Sequence, residues 1–444
     1  MSKTLKVSTQ VTYTLGALGG WILWYVIGFF LINFYIPPVH ENLPFFINQK
    51  AIFYIFNIMA ILMFASRLWD AVTDPVIGHL SDQSKNPKGR RKPFMKYGLL
   101  APLFCVLIFV PLTQSVSYIN VLWLFVALIL FYLSYTIYII PYFALMVDLC
   151  KTTNDRINLS TWLGFAESLG IMIASQAPVI WAIFEQKGTA TLLARQQSFG
   201  IICLIAFFLM LVPMLFIKEP TRDENAPPPI PIKASLKKLL ANPLFRAYGI
   251  MLILYITSSN IVIIGVPYFI TVLLKLEAKY ISLMPIMIIT SVLFYPIVNI
   301  LCKKLGNKKV MIMSLLGMAA LFLYALFLGT YPFSPIIQLV LLFIFAGIPV
   351  SFVVVLLVAV CSDIATHAKE KLGENLEGMY FAGRNFCIKL GFMFGATLFA
   401  SFTLLGKDIG NDFGIRAIVF VGILFSLSAA YIFYKKYDQS LIGQ

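Results

Sequence analysis

The sequence predicts an all-α membrane protein of twelve transmembrane helices arranged as two six-helix pseudo-repeats. Three observations carry that expectation. Of the 444 residues, 60% are hydrophobic and 12% charged, with a mean hydropathy of +0.88. A water-soluble chain of this size must keep far more polar surface. Twelve apolar runs each supply the ~20 residues a helix needs to cross a bilayer. A proline-rich polar segment, "DENAPPPIPIK", divides those runs six and six.

The expected spans are, in order, 11–36, 51–80, 94–113, 118–149, 157–185 and 198–217. Then come 247–274, 280–302, 310–330, 335–362, 379–405 and 413–434. The first follows the short polar "MSKTLKVSTQ", which lacks the layout of a cleaved signal, so it is expected to stay as a span. Domain boundaries are expected at 1–217 for the first bundle, 218–245 for a cytoplasmic linker and 246–444 for the second bundle. The linker sequence suits an extended chain.

An even number of spans puts both termini on one side. Loops on the side of the termini hold about 23 Lys and Arg and the opposite loops about 6, which makes that side cytoplasmic. "KNPKGRRK" (85–92) and "KKLGNKK" (303–309) are among the basic loops. The net charge of +15 is thereby assigned to membrane orientation, and nucleic acid is excluded as a partner because no recognition fold accompanies it. The same two loops lie half a chain apart, each between the second and third spans of its half. That spacing is the mark of an internally repeated transporter.

Six cysteines are scattered through apolar runs without CxxC spacing and read as core residues. The three histidines are isolated, and nothing in the chain resembles GxSxG, HExxH or GxxxxGK[ST]. The chain is therefore expected not to be an enzyme. Without a nucleotide site, transport must run on an ion gradient.

The second span poses the central problem. "RLWDAVTDPVIGHLSD" carries Arg67, Asp70 and Asp74 into the bilayer. At 1.5 Å per residue, Asp74 lies roughly 12 Å and Asp70 roughly 18 Å from the loop at Asp82. Each acid at that depth costs about 3 kcal/mol, against roughly 5 kcal/mol recovered by the apolar residues between Ile52 and Phe64. Buried acids of this kind face a bundle interior and mark an ion or substrate path. Asp70 and Asp74 are four apart and share a helix face. Two carboxylates so close repel, so either one holds a proton or a cation sits between them. Carboxylates and hydroxyls, here with Thr73 adjacent, are the oxygen ligands a hard cation takes. A proton or Na+ site explains the pair. The competing reading is plain neutralisation of Asp70 by Arg67 three residues earlier, which leaves Asp74 unexplained. Pro75 frees a backbone carbonyl that is either a further ligand or merely a kink.

Lys389 lies about ten residues into the eleventh span, roughly 15 Å deep. Snorkelling is hard there, and pairing with an acid of the first half would couple ion occupancy to rocking of the halves. Glu167 in the fifth span is comparably deep. It is expected either to contact solute or to pair with Arg67.

These stretches resemble the glycoside–pentoside–hexuronide:cation symporters, the melibiose-permease group of the major facilitator superfamily. "RLWDAVTDPVIGHLSDQSKNPKGRRKPF" is similar to that family's span-two signature. "VTYTLGALGGWILWYVIGFFLINFY", "YTIYIIPYFALMVDLCKTTNDR" and "GENLEGMYFAGRNFCIKLGFMFG" resemble its first, fourth and eleventh spans, in the family's order. The resemblance implies the major facilitator fold and cation-coupled symport. It implies that Asp70, Thr73, Asp74 and Thr136 hold Na+ or H+, with Lys389 beside them and Arg67 in a coupling role. It also implies a bacterial inner membrane, a monomeric chain, and no cofactor beyond the coupling ion.

The sugar-binding pattern departs from the family. The sugar carriers place an aspartate where this chain has Trp21, another where it has Ile139, and an arginine near Leu163 or Gly164. Buried sugar hydroxyls need matched polar partners, so the loss of these groups favours a more apolar or amphiphilic solute. The expected solute contacts are Trp21, Trp24, Ile139, Phe143, Trp162 and Glu167, or else these residues simply pack. Sodium-coupled lysophospholipid carriers of the wider family show that the fold moves amphiphiles, although they keep the span-five arginine. An uncoupled uniporter and a non-transporting receptor are the other readings.

Overall fold

The computed structural model describes residues 5–52, 54–84, 89–150, 152–219, 239–372 and 377–437. The linker expected over 218–245 therefore lies, for 220–238, outside the described residues. Those residues contain no β-strand. They divide into two compact units, Met1–Asn225 with Glu277–Ser282, and Ala226–Leu276 with Leu283–Gln444.

The first unit contains α1 (Val7–Tyr35), α2 (Ile58–Gln83), α3 (Lys92–Gly98), α4 (Ala101–Ile108), α5 (Tyr118–Leu149), α6 (Thr153–Ala174), α7 (Ala177–Gln186) and α8 (Thr191–Phe216). Helix α1 is the most enclosed, packing on α6 and α8, while α2, α3 and α4 pack on α5. Glycines let α1 approach its neighbours. A methyl group on Gly19 would lie 2.6 Å from the Ala206 carbonyl oxygen of α8, and one on Gly170 of α6 would lie 2.6 Å from Trp21 Cβ. Tyr13 and Tyr142 stack at 4.2 Å between ring centroids. Each hydroxyl donates to the other residue's backbone carbonyl, so α1 and α5 are tied by both rings and hydrogen bonds.

The second unit contains α9 (Pro243–Tyr268), α10 (Pro285–Leu305), α11 (Asn307–Leu326), α12 (Pro335–Leu372), α13 (Glu377–Phe402) and α14 (Phe413–Lys436). Here α9 packs on α13 and α14, and α10 and α11 pack on α12. Gly306, at φ +80°, makes the one-residue break between α10 and α11, a backbone conformation that a side chain resists.

Ten helical segments among the described residues are long and apolar enough to cross a membrane, against the twelve expected. The two that fall short are the second and third. Helix α2 carries the charged stretch, which lowers its hydropathy. The third expected span is interrupted at Leu99 and Leu100, between α3 and α4, with Pro102 in the first turn of α4. The second helix also starts later than expected. It begins at Ile58, where the Asn57 side chain accepts the Ala60 N–H at 2.8 Å and so caps the first turn.

Candidate functional site: an intramembrane carboxylate pair

Helix α2 lies along α5, and their polar residues meet at Thr136. The Thr136 hydroxyl is 3.2 Å from Asp70 Oδ1 and 3.1 Å from Asp74 Oδ1. Asp70 and Thr136 are each 1% exposed, and Asp74 is half-buried. One hydroxyl has one hydrogen to donate, so it shares that hydrogen between the carboxylates. Three oxygens from two helices thus converge, two of them on side chains that carry negative charge when ionised. Such a set takes a proton or a hard monovalent cation. Thr73 does not join it in this conformation. Its hydroxyl turns back along α2, donating to the carbonyls of Trp69 and Asp70 at 3.0 and 3.1 Å. A helix-borne threonine has this local acceptor always at hand.

Arg67 stands one turn before Asp70 and is 5% exposed. Its guanidinium carbon lies 4.4 Å from the ring centre of Trp24 on α1 and 4.8 Å from that of Tyr132 on α5. The face of an aromatic ring attracts a cation, so α1 and α5 both hold the arginine. Tyr135, one turn beyond Phe131 on α5, packs against both Trp24 and Phe131, at 5.8 and 5.7 Å between centroids.

Glu167 accepts a hydrogen bond from the Tyr25 hydroxyl at 3.1 Å, joining α6 to α1. Trp21 packs on the Tyr25 ring at 6.1 Å. Ile139 reaches α1 at Gly20, where an added methyl would meet its Cδ1 at 2.9 Å. Trp21, Trp24, Ile139 and Glu167 are therefore gathered around one face of α1, all half-buried. Phe143 lies one turn beyond Ile139, 37% exposed, with its ring edge on Tyr142. Trp162 packs edge-on against Phe165 of its own helix. It is five residues from Glu167, hence on a different side of α6. Lys389 is half-buried on α13 of the second unit.

Two clusters were missed by sequence reasoning. Near the start of α8, Arg195 Nη2 lies 2.8 Å from Glu41 Oε2, with side-chain exposures of 5% and 6%. Asn33 of α1 donates to Glu41 at 3.1 Å, and the Trp181 ring lies 4.8 Å from the Arg195 guanidinium carbon. The available signal was a lone arginine in the first turns of an otherwise apolar helix. The second cluster ties the α2–α3 loop. Arg90 donates to both Asp148 oxygens at 3.1 and 2.9 Å, and Arg91 pairs with Asp82. The Glu219 carboxylate accepts the backbone N–H groups of Arg90, Arg91 and Lys92 at 2.7, 2.7 and 3.1 Å. An anion there satisfies the open N–H groups of α3 and complements its dipole. Partial burial lowers the Lys92 pKa, and the nearby Glu219 charge partly offsets that shift.

Comparison with known proteins agrees with this architecture. The model of the family described as MFS/sugar transport protein matches residues 12–406. The inner membrane symporter YicJ of Escherichia coli (strain K12) is 23% identical over 347 residues, 76% of this chain and 72% of that one. The sodium-dependent lysophosphatidylcholine symporter 1 of Xenopus tropicalis is 27% identical over 174 residues, 38% of this chain and 30% of that one. Among solved structures, a mutant of the nucleoside transporter NupG superposes with a TM-score of 0.69 at 14% identity, covering 97% of this chain and 100% of that one. That likeness shows the fold. The family match extends over most of the chain, on the side of the glycoside–pentoside–hexuronide:cation symporters. The protein is an integral membrane transporter rather than an enzyme, and it belongs to the MFS/sugar transport protein family.

Proposed function

We propose that the chain is a cation-coupled symporter that carries a small organic solute by alternating access, with Na+ or H+ bound at Asp70 and Asp74. The observation that carries this reading is the Thr136 hydroxyl within hydrogen-bonding distance of both carboxylates. An intramembrane acid pair bridged by a neutral hydroxyl is a costly arrangement for packing alone. It suits a site that must accept and release a single positive charge. Lys389 and Arg67 are the cationic groups that exchange with that charge during the cycle.

Twelve membrane crossings complete this reading, with α2 as the second and the interrupted α3–α4 pair as the third. The helix neighbours support a two-fold repeat. In the first unit the first helix packs on the fifth and sixth spans, and in the second unit α9 packs on α13 and α14 in the same order. The loop between second and third spans is also tied to the fourth in each half, by Arg90 to Asp148 and by Asn307 to Asp363 at 3.0 Å. The proposed units are 1–217 and 246–444, joined by a cytoplasmic linker over 218–245. Both termini are cytoplasmic, and the monomeric protein works in a bacterial inner membrane.

The solute site of the first unit is the α1 face bearing Trp21 and Trp24, with Ile139, Phe143 and Glu167 around it; Trp162, on another side of α6, is its outlying member. Trp21, Trp24 and Ile139 present apolar surface, and Tyr25 with Glu167 presents a hydrogen-bonding pair. This mixture suits a solute with both an apolar body and hydroxyl groups. A lysophospholipid or comparable amphiphile is the second reading, favoured by Trp21 and by the similarity to the lysophosphatidylcholine symporter.

The test is the thermal unfolding midpoint of detergent-purified protein in NaCl against choline chloride, for the native chain and Asp74→Asn. A ligand that binds the folded state alone raises the midpoint. A rise with Na+ that Asp74→Asn abolishes establishes the cation site. If Na+ has no effect, solute uptake into proteoliposomes under a pH gradient decides between proton coupling and uniport. Uptake indifferent to both gradients would reject symport.

A further inference from the structure

We propose that the end of the second unit where α10 stops, α11 starts and α14 stops is a binding site for an anionic phospholipid, whose headgroup phosphate is held by Lys308 and Lys435. This goes beyond the transport reading and needs only that the chain spans a membrane. The stretch joining α10 to α11 carries Lys303, Lys304, Lys308 and Lys309, and α14 ends on Lys435 and Lys436. The two meet through Lys308, whose Nζ lies 5.8 Å from the ring centre of Tyr434 on α14. Lys435 Nζ lies 5.6 Å from the ring centre of Tyr431 and donates to its hydroxyl at 3.2 Å. Tyr431 and Tyr434 are three apart, so they share a face of α14, and they are 60% and 66% exposed. Two ammonium groups from different helices are thus held over neighbouring exposed rings.

Two ordinary causes account for part of this patch. The helix dipole favours Lys303, Lys304, Lys435 and Lys436 in the last turns of α10 and α14. It does not favour Lys308 and Lys309, which stand in the first turn of α11, where a cation is disfavoured. Membrane orientation asks only that lysines lie on one side, not that they gather over exposed rings without counter-ions. Among the described residues none of the six pairs with a carboxylate. The acid beside them, Asp363 of α12, accepts the Asn307 amide at 3.0 Å, and Asp438 lies outside the described residues. The α2–α3 loop is the contrast, since its Arg90 and Arg91 are neutralised by Asp148 and Asp82. A phosphate diester is an anion that lysines bind as point charges, and basic clusters beside spans attract anionic headgroups. Exposed tyrosines at a span end seat in the headgroup layer. Their apolar faces are covered by the glycerol and acyl carbons of a lipid and not by a free phosphate, which makes the occupant a lipid of the bilayer.

The experiment measures lipid binding by the native protein and its variants, delipidated in a neutral detergent without solute. Mixed micelles carry phosphatidylglycerol or phosphatidylcholine at rising mole fraction. The readouts are the thermal midpoint and the lipid retained on the protein in native mass spectrometry. The variants are Lys308→Gln/Lys435→Gln, Lys308→Arg/Lys435→Arg and Tyr434→Leu. The control is Lys6→Gln/Lys96→Gln, which removes the same charge from two exposed positions of the first unit. The native chain should take phosphatidylglycerol at a lower mole fraction than phosphatidylcholine. Lys308→Gln/Lys435→Gln should raise the half-saturating mole fraction about tenfold or more, and the arginine pair should stay near native. Tyr434→Leu, which releases Lys308 from its ring, should lie between them. The control should stay within about twofold of native.

Equal binding of the two lipids would overturn the proposal. So would equal losses in the glutamine pair and the control, which would mean diffuse attraction by net charge. Inorganic phosphate at millimolar concentration should leave the bound lipid in place. If it raises the midpoint as much as phosphatidylglycerol does, the site takes a free anion and the lipid proposal fails. Should the glutamine pair not fold, the single variants Lys308→Gln and Lys435→Gln, each expected to lose about threefold, carry the same comparison against Lys6→Gln. None of these readouts depends on the coupling ion, so a failure here leaves the cation-site reading standing.

Discussion

Arg195 and Glu41 form an ion pair at 2.8 Å with both side chains almost wholly enclosed, and the Asn33 carboxamide oxygen lies 3.4 Å from the other Arg195 terminal nitrogen. The pair pins the segment after α1 to the start of α8. Removing one partner of a buried pair leaves an uncompensated charge, at a cost of about 3–5 kcal/mol. Arg195→Ala should therefore lower the thermal midpoint sharply. Glu41→Gln, which keeps shape and hydrogen bonding, should lower it less. The double variant Arg195→Leu/Glu41→Leu should be milder than the two single losses combined, and unfolding scans of the purified variants check the order.

The Thr136 hydroxyl is the third oxygen at the carboxylate pair, and its loss has a defined direction. Thr136→Ala removes a hydrogen bond to charged groups, worth about 1.5–3 kcal/mol, together with one oxygen ligand. If the responding ion is Na+, its effect on the thermal midpoint should weaken at least tenfold; if it is H+, losing a donor to the ionised carboxylates should instead move the response to higher pH. Thr136→Ser restores the hydroxyl and should recover most of it. If Thr136→Ala and Thr136→Ser respond alike, the hydroxyl is not part of the site.

Glu167 and Tyr25 separate solute from ion. Glu167→Gln keeps an acceptor for the Tyr25 hydroxyl but removes a negative charge, so the fold should survive. Solute uptake in proteoliposomes should show a KM raised by about tenfold, the size expected for losing one charge-assisted hydrogen bond. The midpoint response to the coupling ion should stay within about twofold of native. A lost ion response with unchanged KM would move Glu167 from the solute site to the cation site.

The membrane class and the shared helix face of the two acids were legible in the residue order. They depend on local quantities, namely run length, rise per residue and the four-residue repeat. The same local quantities placed the end of the first helix and the full extent of the fourth, which runs from Tyr118 to Leu149. They misplace the start of the second helix because Ile52 and Ile55 continue the apolar run. Asn57 nevertheless starts the helix later by capping it. They also suggest one continuous third span where the helix is interrupted between α3 and α4.

Contacts between helices had no such local signal. Thr136 entered by family resemblance, and only packing of α5 on α2 brings its hydroxyl to both acids. Nothing in the spacing of Trp24, Arg67 and Tyr132 says that two rings from different helices meet one guanidinium. Arg195 and Glu41 are 154 residues apart and make a buried pair. Thr73 has the right type and position for a ligand, yet its hydroxyl is satisfied by its own helix. Thr73 is a local case, but the other three share one physical reason. Helical periodicity determines which residues share a face, but the rotation and register of one helix against another are set by how whole surfaces interlock. Here the glycines of α1 and the glycine facing it on α6 decide how closely those surfaces approach.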